Sequence, residues 1–174
     1  MKLDTLTEAL EGELRDLYDV EQQLVKVLPE LVQAVVHSDL KTAFEEHLVE
    51  TREQLERLEK VFDIVGCEPV RETCEAMQGL LREVDKIVAS PGNRNVKDAV
   101  LIGAAQRIEH YEMAAYGTAL AFAEQLGLDE AVELLQESLD EEMEADEKLT
   151  SLAEGGIFTA GVNRDASRAS RAGV

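Results

Sequence analysis

The feature that most limits the fold is a regular spacing of apolar residues in four long segments of the chain. In each segment, apolar side chains recur at alternating intervals of four and three residues. In the first segment these are Leu10, Leu14, Leu17, Leu24, Leu28, Leu31 and Val35. This spacing places an apolar stripe along one side of an α-helix and is typical of helices that pack side by side. The sequence therefore predicts an all-α fold.

Helix-breaking residues divide the chain into four long helices and one short one. Ser38-Asp39, Gly66, Ser90-Pro91-Gly92-Asn93, Gly127 and Gly155-Gly156 mark the boundaries. The long helices are predicted from Asp4 or Thr5 to about His37, from Ser38 to Gly66, from about Val96 to Leu126, and from Asp129 to about Glu154. The short helix is predicted from about Cys74 to Ala89.

The lengths of the connections indicate how these helices pack. The turn within each pair of long helices is short, whereas the stretch between the pairs is long and holds the short helix. An antiparallel four-helix bundle with one crossover connection has this pattern. We therefore predict a single bundle domain over residues 1–156. Residues 157–174 are predicted to be a disordered tail, because from Thr159 onward the sequence is small, polar and without an apolar stripe.

Each apolar stripe is interrupted by polar side chains near the middle of its helix. The interruptions are Glu21 in the first long helix, His47, Thr51 and Gln54 in the second, Glu112 in the third, and Glu142 and Asp146 in the fourth. Glu50 lies beside the stripe of the second helix, on the same face as His47 and Gln54. Antiparallel packing would bring all these positions to one level of the core.

Several carboxylates at one level of a core require a positive partner. An unpaired buried carboxylate costs several kcal/mol unless its pKa rises and it becomes neutral. A divalent cation is the simplest partner, and mid-helix carboxylates in four-helix bundles are the way dinuclear iron or manganese sites are built. We predict a carboxylate-rich metal site, dinuclear in preference to mononuclear, with Fe or Mn as the foremost cofactors.

Three other hypotheses remain open. Glu21 or Glu112 could turn to the rim and pair with a basic side chain, or the polar residues could form a metal-free network that sets helix register and the choice of dimer partner. In the third hypothesis the acidic surface itself binds a partner, since the net charge is −20. That charge argues against nucleic-acid and membrane binding.

Location is predicted from what the sequence lacks. It has no basic stretch followed by an apolar one at its start, and no run of 18 apolar residues. We therefore expect a cytoplasmic protein without a signal peptide or membrane span. Cys67 and Cys74 are the only cysteines, and we expect both to be reduced.

Five segments resemble a known family. They are ELRDLYDVEQQLVKVLPEL (13–31), FEEHLVETREQLERLEKVF (44–62), CEAMQGL (74–80), AAQRIEHYEMAAYGTALAFAEQLG (104–127) and ESLDEEMEADEKLTSLA (137–153). Together with the motifs LYDVE, HLVET, EHYEMAAYG and LDEE inside them, they are similar to the YciE/YciF-type ferritin-like family. The resemblance covers about residues 3–154.

The resemblance implies a ferritin-like bundle, commonly a homodimer, that is linked to stress response and is proposed to bind metal. The acidic positions of the family motifs fall on Glu21, Glu50, Glu109, Glu112, Glu141 and Glu142, with His47, Gln54 and Asp146 nearby. Redox activity toward peroxide or Fe(II) would then be expected. One departure weakens that expectation, because ferritin-like oxidases carry Glu-x-x-His on two helices and this chain has none.

Overall fold

The computed structural model describes residues 3–156 and 161–171, which form six α-helices. They are α1 (Leu6–Ala34), α2 (Ser38–Val65), α3 (Glu75–Ala89), α4 (Arg94–Leu126), α5 (Asp129–Glu154) and α6 (Val162–Arg171). The predicted all-α class is confirmed. Cys67 and Cys74 form no disulfide. None of the described helices is both long and apolar enough to cross a membrane.

Local sequence signals fix the helix ends. Thr5 caps α1 by accepting the backbone N–H of Glu8 at 3.1 Å, and the Glu8 carboxylate accepts the N–H of Thr5 in return. Asn93 caps α4 in the same way, through the N–H of Asn95 at 2.9 Å. Gly66 and Gly127 end α2 and α4 with φ of 81° and 71°, a left-handed conformation that glycine adopts without strain.

The four long helices contact one another in the order α1, α2, α5, α4 and back to α1. Side-chain pairs give the direction of α2 relative to α5. Glu46 of α2 contacts Lys148 of α5, whereas Arg57, further along α2, contacts Ser138, which is earlier in α5. The two helices are therefore antiparallel. Because each neighbour in the ring reverses direction, α2 and α4 run the same way, and the chain between them must travel back along the helices.

Buried apolar side chains form two clusters, one toward each end of the long helices. The first holds Leu24 and Leu28 of α1, Phe44 of α2, Leu101 of α4 and Leu149 of α5. The second holds Leu14 of α1, Leu58 of α2, Ala119 of α4 and Leu135 of α5. In every long helix the buried acidic residue or histidine of the predicted stripe lies between the two clusters. The predicted interruptions therefore form a polar layer across the core.

The C-terminal region differs from the sequence-based expectation of a disordered tail. Residues 162–171 form α6, which contacts α4 and α5. Val162 and Ala166, one helical turn apart, are buried with 1% and 8% of their surface exposed. Two small apolar side chains suffice for this contact, although they make too short a stripe to recognise in the sequence. The remaining tail positions, 157–160 and 172–174, lie outside the described residues.

A buried carboxylate fixes the turn between α1 and α2. Asp98 of α4 is 1% exposed and accepts the backbone N–H groups of Val36 at 3.0 Å and His37 at 2.8 Å. Asp98→Ala should lower the free energy of unfolding by about 2–3 kcal/mol, because it leaves two partly buried donors without an acceptor. Urea denaturation measures this. Asp98→Asn keeps one acceptor oxygen and should lose less; equal losses in both variants would contradict the assignment.

Candidate metal centre

Four buried side chains that can act as metal ligands meet in the polar layer. They are His47 of α2, Glu109 and Glu112 of α4, and Glu142 of α5, and one ligand atom of each lies within 4.8 Å of the others. Glu112 and Glu142 are fully buried, Glu109 is 3% exposed and His47 is 6% exposed. We call these residues the four-residue group. Its atoms are close enough for a single cation to contact all four.

The helices supply this group from three directions. Glu109 and Glu112 are three residues apart on α4 and therefore lie on one face of that helix. His47 comes from α2, which lies diagonally across the ring from α4, and Glu142 comes from α5, which neighbours both. The ligand atoms are thus placed by rigid helices rather than by loops.

Glu21 of α1 completes the layer but is not part of the four-residue group. It is fully buried, and the hydroxyl of Tyr116 donates to its Oε1 at 2.5 Å. Burial and the nearby Glu142 carboxylate raise the pKa of Glu21 to about 8. The Glu21 carboxyl is therefore a second potential binding position beside the group, partly occupied by Tyr116.

Side chains from α2 hold the carboxylates of α5. The amide nitrogen of Gln54 donates to Glu142 Oε1 at 2.5 Å and to Glu141 Oε2 at 3.0 Å. Arg57 is 7% exposed, donates from Nε to Ser138 Oγ at 3.0 Å and contacts Glu141. Arg57 therefore supplies a fixed positive charge at the edge of the layer. Arg57 is not among the residues predicted for the site, although its position three residues after Gln54 places it on the same face of α2.

Several polar atoms of the layer have no hydrogen-bond partner in the described part of the chain. They are Glu21 Oε2, His47 Nε2, Gln54 Oε1, Glu109 Oε2, both carboxyl oxygens of Glu112, and Glu142 Oε2. Buried polar atoms in folded proteins are almost always paired. Six oxygens and one imidazole nitrogen that face one another therefore require shared protons, ordered water or a cation. The donor set fits a divalent ion that prefers oxygen and accepts one imidazole.

Electrostatics in the layer follow from burial and from the nearness of like charges. Burial raises the pKa of Glu109 and of Glu112 well above the usual value, and the Glu142 carboxylate raises both further. Burial alone would lower the pKa of His47, but the surrounding carboxylates, Glu109 foremost, outweigh it and raise the pKa to about 10. Near neutral pH the layer thus holds a positive imidazolium and retains protons on part of its carboxyls.

Besides Glu21, three of the predicted site residues lie outside the four-residue group. Glu50 is 40% exposed and faces His47 Nδ1 at 3.4 Å, so it contacts a ligand from outside. The hydrogen bond from His47 lowers the pKa of Glu50. Asp146 is 20% exposed, and its carboxylate contacts α4. Gln106 donates a hydrogen bond to it at 3.1 Å, and His110 Nε2 lies 3.5 Å from it. Gln54 is fully buried and acts through Glu142.

Comparison with known proteins identifies relatives over nearly the whole chain. The family described as a domain of unknown function, DUF892, matches residues 5–166. Protein YciF of Escherichia coli (strain K12) is 42% identical over 154 residues, which are 88% of this chain and 93% of that protein.

Solved structures with the same fold include close relatives. The crystal structure of the Escherichia coli stress protein YciF matches with a TM-score of 0.84 and 41% identity, over 86% of this chain and 95% of that one. YcfI of Rhodopseudomonas palustris, whose description suggests a structural role, matches with a TM-score of 0.84 and 39% identity, over 88% and 99%. A Xanthomonas campestris protein shares the fold at 20% identity, with a TM-score of 0.69 over 84% and 90%.

Proposed function

The chain belongs to the DUF892 family, as its resemblance to YciF-type proteins predicted, and we propose that it is a stress-response protein that holds a divalent metal ion in its helical core. The observation that carries this proposal is the set of buried carboxylate oxygens near His47 Nε2 that have no hydrogen-bond partner in residues 3–156 and 161–171. The name stress protein belongs to the Escherichia coli relative and supports the same role here. A cytoplasmic location and a homodimer are parts of the proposal.

We assign the ring of α1, α2, α5 and α4 to a ferritin-like four-helix bundle, with α3 as the extra helix in the crossover. Two observations support this assignment: the long helices are neighbours in the order α1, α2, α5, α4, and α2 and α4 run in the same direction. In such bundles the metal ligands project inward from facing helices at mid-height. The polar layer between the two apolar clusters has this position.

The proposed ligands are His47, Glu109, Glu112 and Glu142. Fe(II) and Mn(II) suit a set of three carboxylates and one imidazole, since carboxylates favour Mn(II) and imidazole adds affinity for iron. The separation of the ligand atoms suits one ion. Glu21 and the remaining carboxylate oxygens offer ligands for a second ion, as in the dinuclear site that the sequence predicts.

The neighbouring residues orient these ligands. Metal binding needs the neutral form of His47, in which Nδ1 keeps its proton and donates it in a hydrogen bond to Glu50 while the lone pair of Nε2 is directed into the group. The imidazolium would therefore lose its Nε2 proton as a cation binds. Gln54 holds one oxygen of Glu142 and leaves the other without a partner. Bound iron or manganese would supply one-electron redox chemistry, with peroxide or Fe(II) as proposed substrates. The protons held on Glu21, Glu109 and Glu112 would be released as a cation binds.

Metal content tests the proposal directly. Protein purified without chelators and loaded with Mn(II) or Fe(II) should retain one to two ions per chain, on the order expected for this ligand set. Elemental analysis after desalting measures this. Less than about a tenth of an equivalent after loading would contradict the metal site. Ions bound adventitiously to surface carboxylates are held more weakly than ions in a buried group and should be removed by the desalting step.

Glu142→Gln should lower the affinity for Mn(II) by about 100-fold or more, because it removes a charged ligand while keeping the side-chain volume. Loss of a residue that only supports a ligand already lowers metal affinity by about 10–100-fold. Equilibrium titration measures the change. Glu147→Gln, at an exposed position of the same helix, removes the same charge and should change affinity less than threefold. Equal effects would mean that Mn(II) is held by the general negative charge.

A metal-free polar network is the second candidate function, in which the chain acts as a structural or interaction protein. Two observations favour it. His47 supplies a positive charge within the layer, and Gln54 and Tyr116 already donate to two of the carboxylates. The structural role suggested for the Rhodopseudomonas palustris relative agrees with this candidate. Under it, shared protons replace the metal ion.

A further inference from the structure

A cavity of about 120 Å³ lies beside the four-residue group, between α2, α4 and α5. Two members of the four-residue group, His47 and Glu109, line it, and we call this part of the lining its floor. Phe44 and Leu149 line its walls, together with two alanines of α2 and α5. A water molecule takes up roughly 30 Å³ of liquid, so the cavity has room for several.

The exposure of the polar layer identifies this cavity as its opening. Glu21, Gln54, Glu112 and Glu142 have no exposed surface at all. In the four-residue group only His47 and Glu109 have any, 6% and 3%, and both line the cavity. His47 Nε2 and Glu109 Oε2 are themselves buried, lie 3.6 Å apart, and have no hydrogen-bond partner within the described residues. The side of the group that lies nearest to solvent is therefore the side that lines the cavity.

The rim of the cavity carries charged side chains. Glu50, Glu144 and Lys148 line it, and Lys148 contacts the exposed Glu46 across the gap between α2 and α5. The two rim carboxylates have the sign that attracts cations. Besides His47, Lys148 is the one basic residue among the lining side chains, and it forms an ion pair with Glu46 of α2.

We propose that this cavity is the route by which a hydrated divalent cation reaches the core, with His47 and Glu109 as the first groups that it meets. The inference rests on the proposed metal site. Rim carboxylates that concentrate a cation at a cleft raise its association rate, by the same electrostatic steering that acts on charged substrates. Apolar walls give few competing ligands, so a cation passes them and binds at the floor.

A steric block tests the route. Ala145 lines the cavity, and Ala145→Phe would place a phenyl ring in it. Co(II), used as the probe because its absorbance changes with its ligands, should bind at least tenfold more slowly in stopped-flow measurements. It should also dissociate more slowly by the same factor, because both steps use one path. The dissociation constant should stay within about twofold. Ala114→Phe, at an exposed position of α4, should leave both rates unchanged.

A charge reversal gives a second test that does not depend on filling the cavity. Glu144→Lys should slow Co(II) association by about three- to tenfold at low salt, and this difference should shrink as salt is added. Glu147→Lys changes the net charge equally on the same helix, but Glu147 does not line the cavity. Glu147→Lys should change the logarithm of the Co(II) association rate by less than half as much as Glu144→Lys does.

The outcomes separate the route from the site. If the unsubstituted protein binds no Co(II) at equilibrium, the proposed function fails and the route fails with it. If it binds Co(II) and the folded Ala145→Phe protein does so at the same rate, the route alone is wrong. Should Ala145→Phe fail to melt cooperatively, equal rates for Glu144→Lys and Glu147→Lys would overturn the route.

Discussion

Glu112→Leu is expected to raise the melting temperature of the metal-free protein and to abolish the further rise that Mn(II) produces in the unsubstituted protein. Glu112 is fully buried, neither of its oxygens has a hydrogen-bond partner among the described residues, and burial and neighbouring carboxylates raise its pKa. Replacing buried ionisable groups with apolar side chains of similar volume is often neutral or stabilising, by about 1–4 kcal/mol. Without metal, leucine should therefore be the more stable residue here.

Bound Mn(II) should reverse this order of stability, so that the unsubstituted protein becomes more stable than the Glu112→Leu protein. An ion at 100 times its dissociation constant stabilises the folded protein by about 2.7 kcal/mol. For a chain of this size that corresponds to a rise of roughly 5–10 °C in melting temperature. The Glu112→Leu protein lacks a ligand and should gain little. The two proteins should thus exchange their order of stability when Mn(II) is added, whereas a metal-free network predicts one order in both conditions.

Thermal melts with and without Mn(II), followed by circular dichroism, measure this exchange. Glu124→Leu makes the same substitution at an exposed position of α4 and should respond to Mn(II) as the unsubstituted protein does. A Glu112→Leu protein that gains as much from Mn(II) as the unsubstituted protein would show that the ion binds elsewhere. Loss of stability in the metal-free Glu112→Leu protein would show that Glu112 takes part in a satisfied network.

The sequence predicts the helices and most of the polar layer because both depend on local periodicity. Glu21, His47, Glu112 and Glu142 interrupt apolar stripes, and a residue in a stripe is buried whatever its partner helix is. Glu109 was identified only through the family resemblance. It lies one turn before Glu112 and outside the strict stripe, but the buried face of a helix is wider than that stripe.

Other features depend on tertiary contacts that periodicity does not reveal. Arg57 is a charged residue in an acidic helix, a position usually exposed to solvent, yet Ser138 and Glu141 of α5 bury it. Asp98 is buried because it accepts backbone groups of a turn that is distant in the sequence. Asp146 shows the opposite case. It has the right spacing from Glu142, but Gln106 of α4 draws its carboxylate away from the group.

The metal-free protein is expected to become less stable as the pH rises through neutrality. Glu21 has a pKa of about 8 in the folded state, against an ordinary value of 4.5. Between these values the folded chain binds more protons than the unfolded chain, so the stability that Glu21 contributes is full below about pH 4.5 and is lost as the pH rises to about 8. Glu109 and Glu112 shift in the same direction. His47, with a pKa of about 10, extends the loss to higher pH.

The loss should be large enough to measure easily. Several buried groups whose pKa values are all raised in the folded state should together lower the melting temperature by roughly 10 °C between about pH 5.5 and pH 8.5. Surface repulsion in a chain of net charge −20 acts in the same direction. It is screened at about 0.5 M salt, whereas interactions between buried groups are screened much less. Melts at high salt therefore isolate the contribution of the polar layer.

Saturating Mn(II) should invert this dependence, because binding requires the protons of Glu21, Glu109 and Glu112 to leave and becomes tighter as pH rises. The melting temperatures with and without the ion should then diverge from about pH 5.5 to pH 8.5. Glu21→Leu removes one of the raised carboxyls and should flatten the metal-free curve, whereas Glu53→Leu, at an exposed position of α2, should leave its slope unchanged. A metal-free melting temperature that stays constant or rises over this range at high salt would show that the carboxyls of the layer are ionised and balanced within the fold. The layer would then have no protons to exchange for a cation.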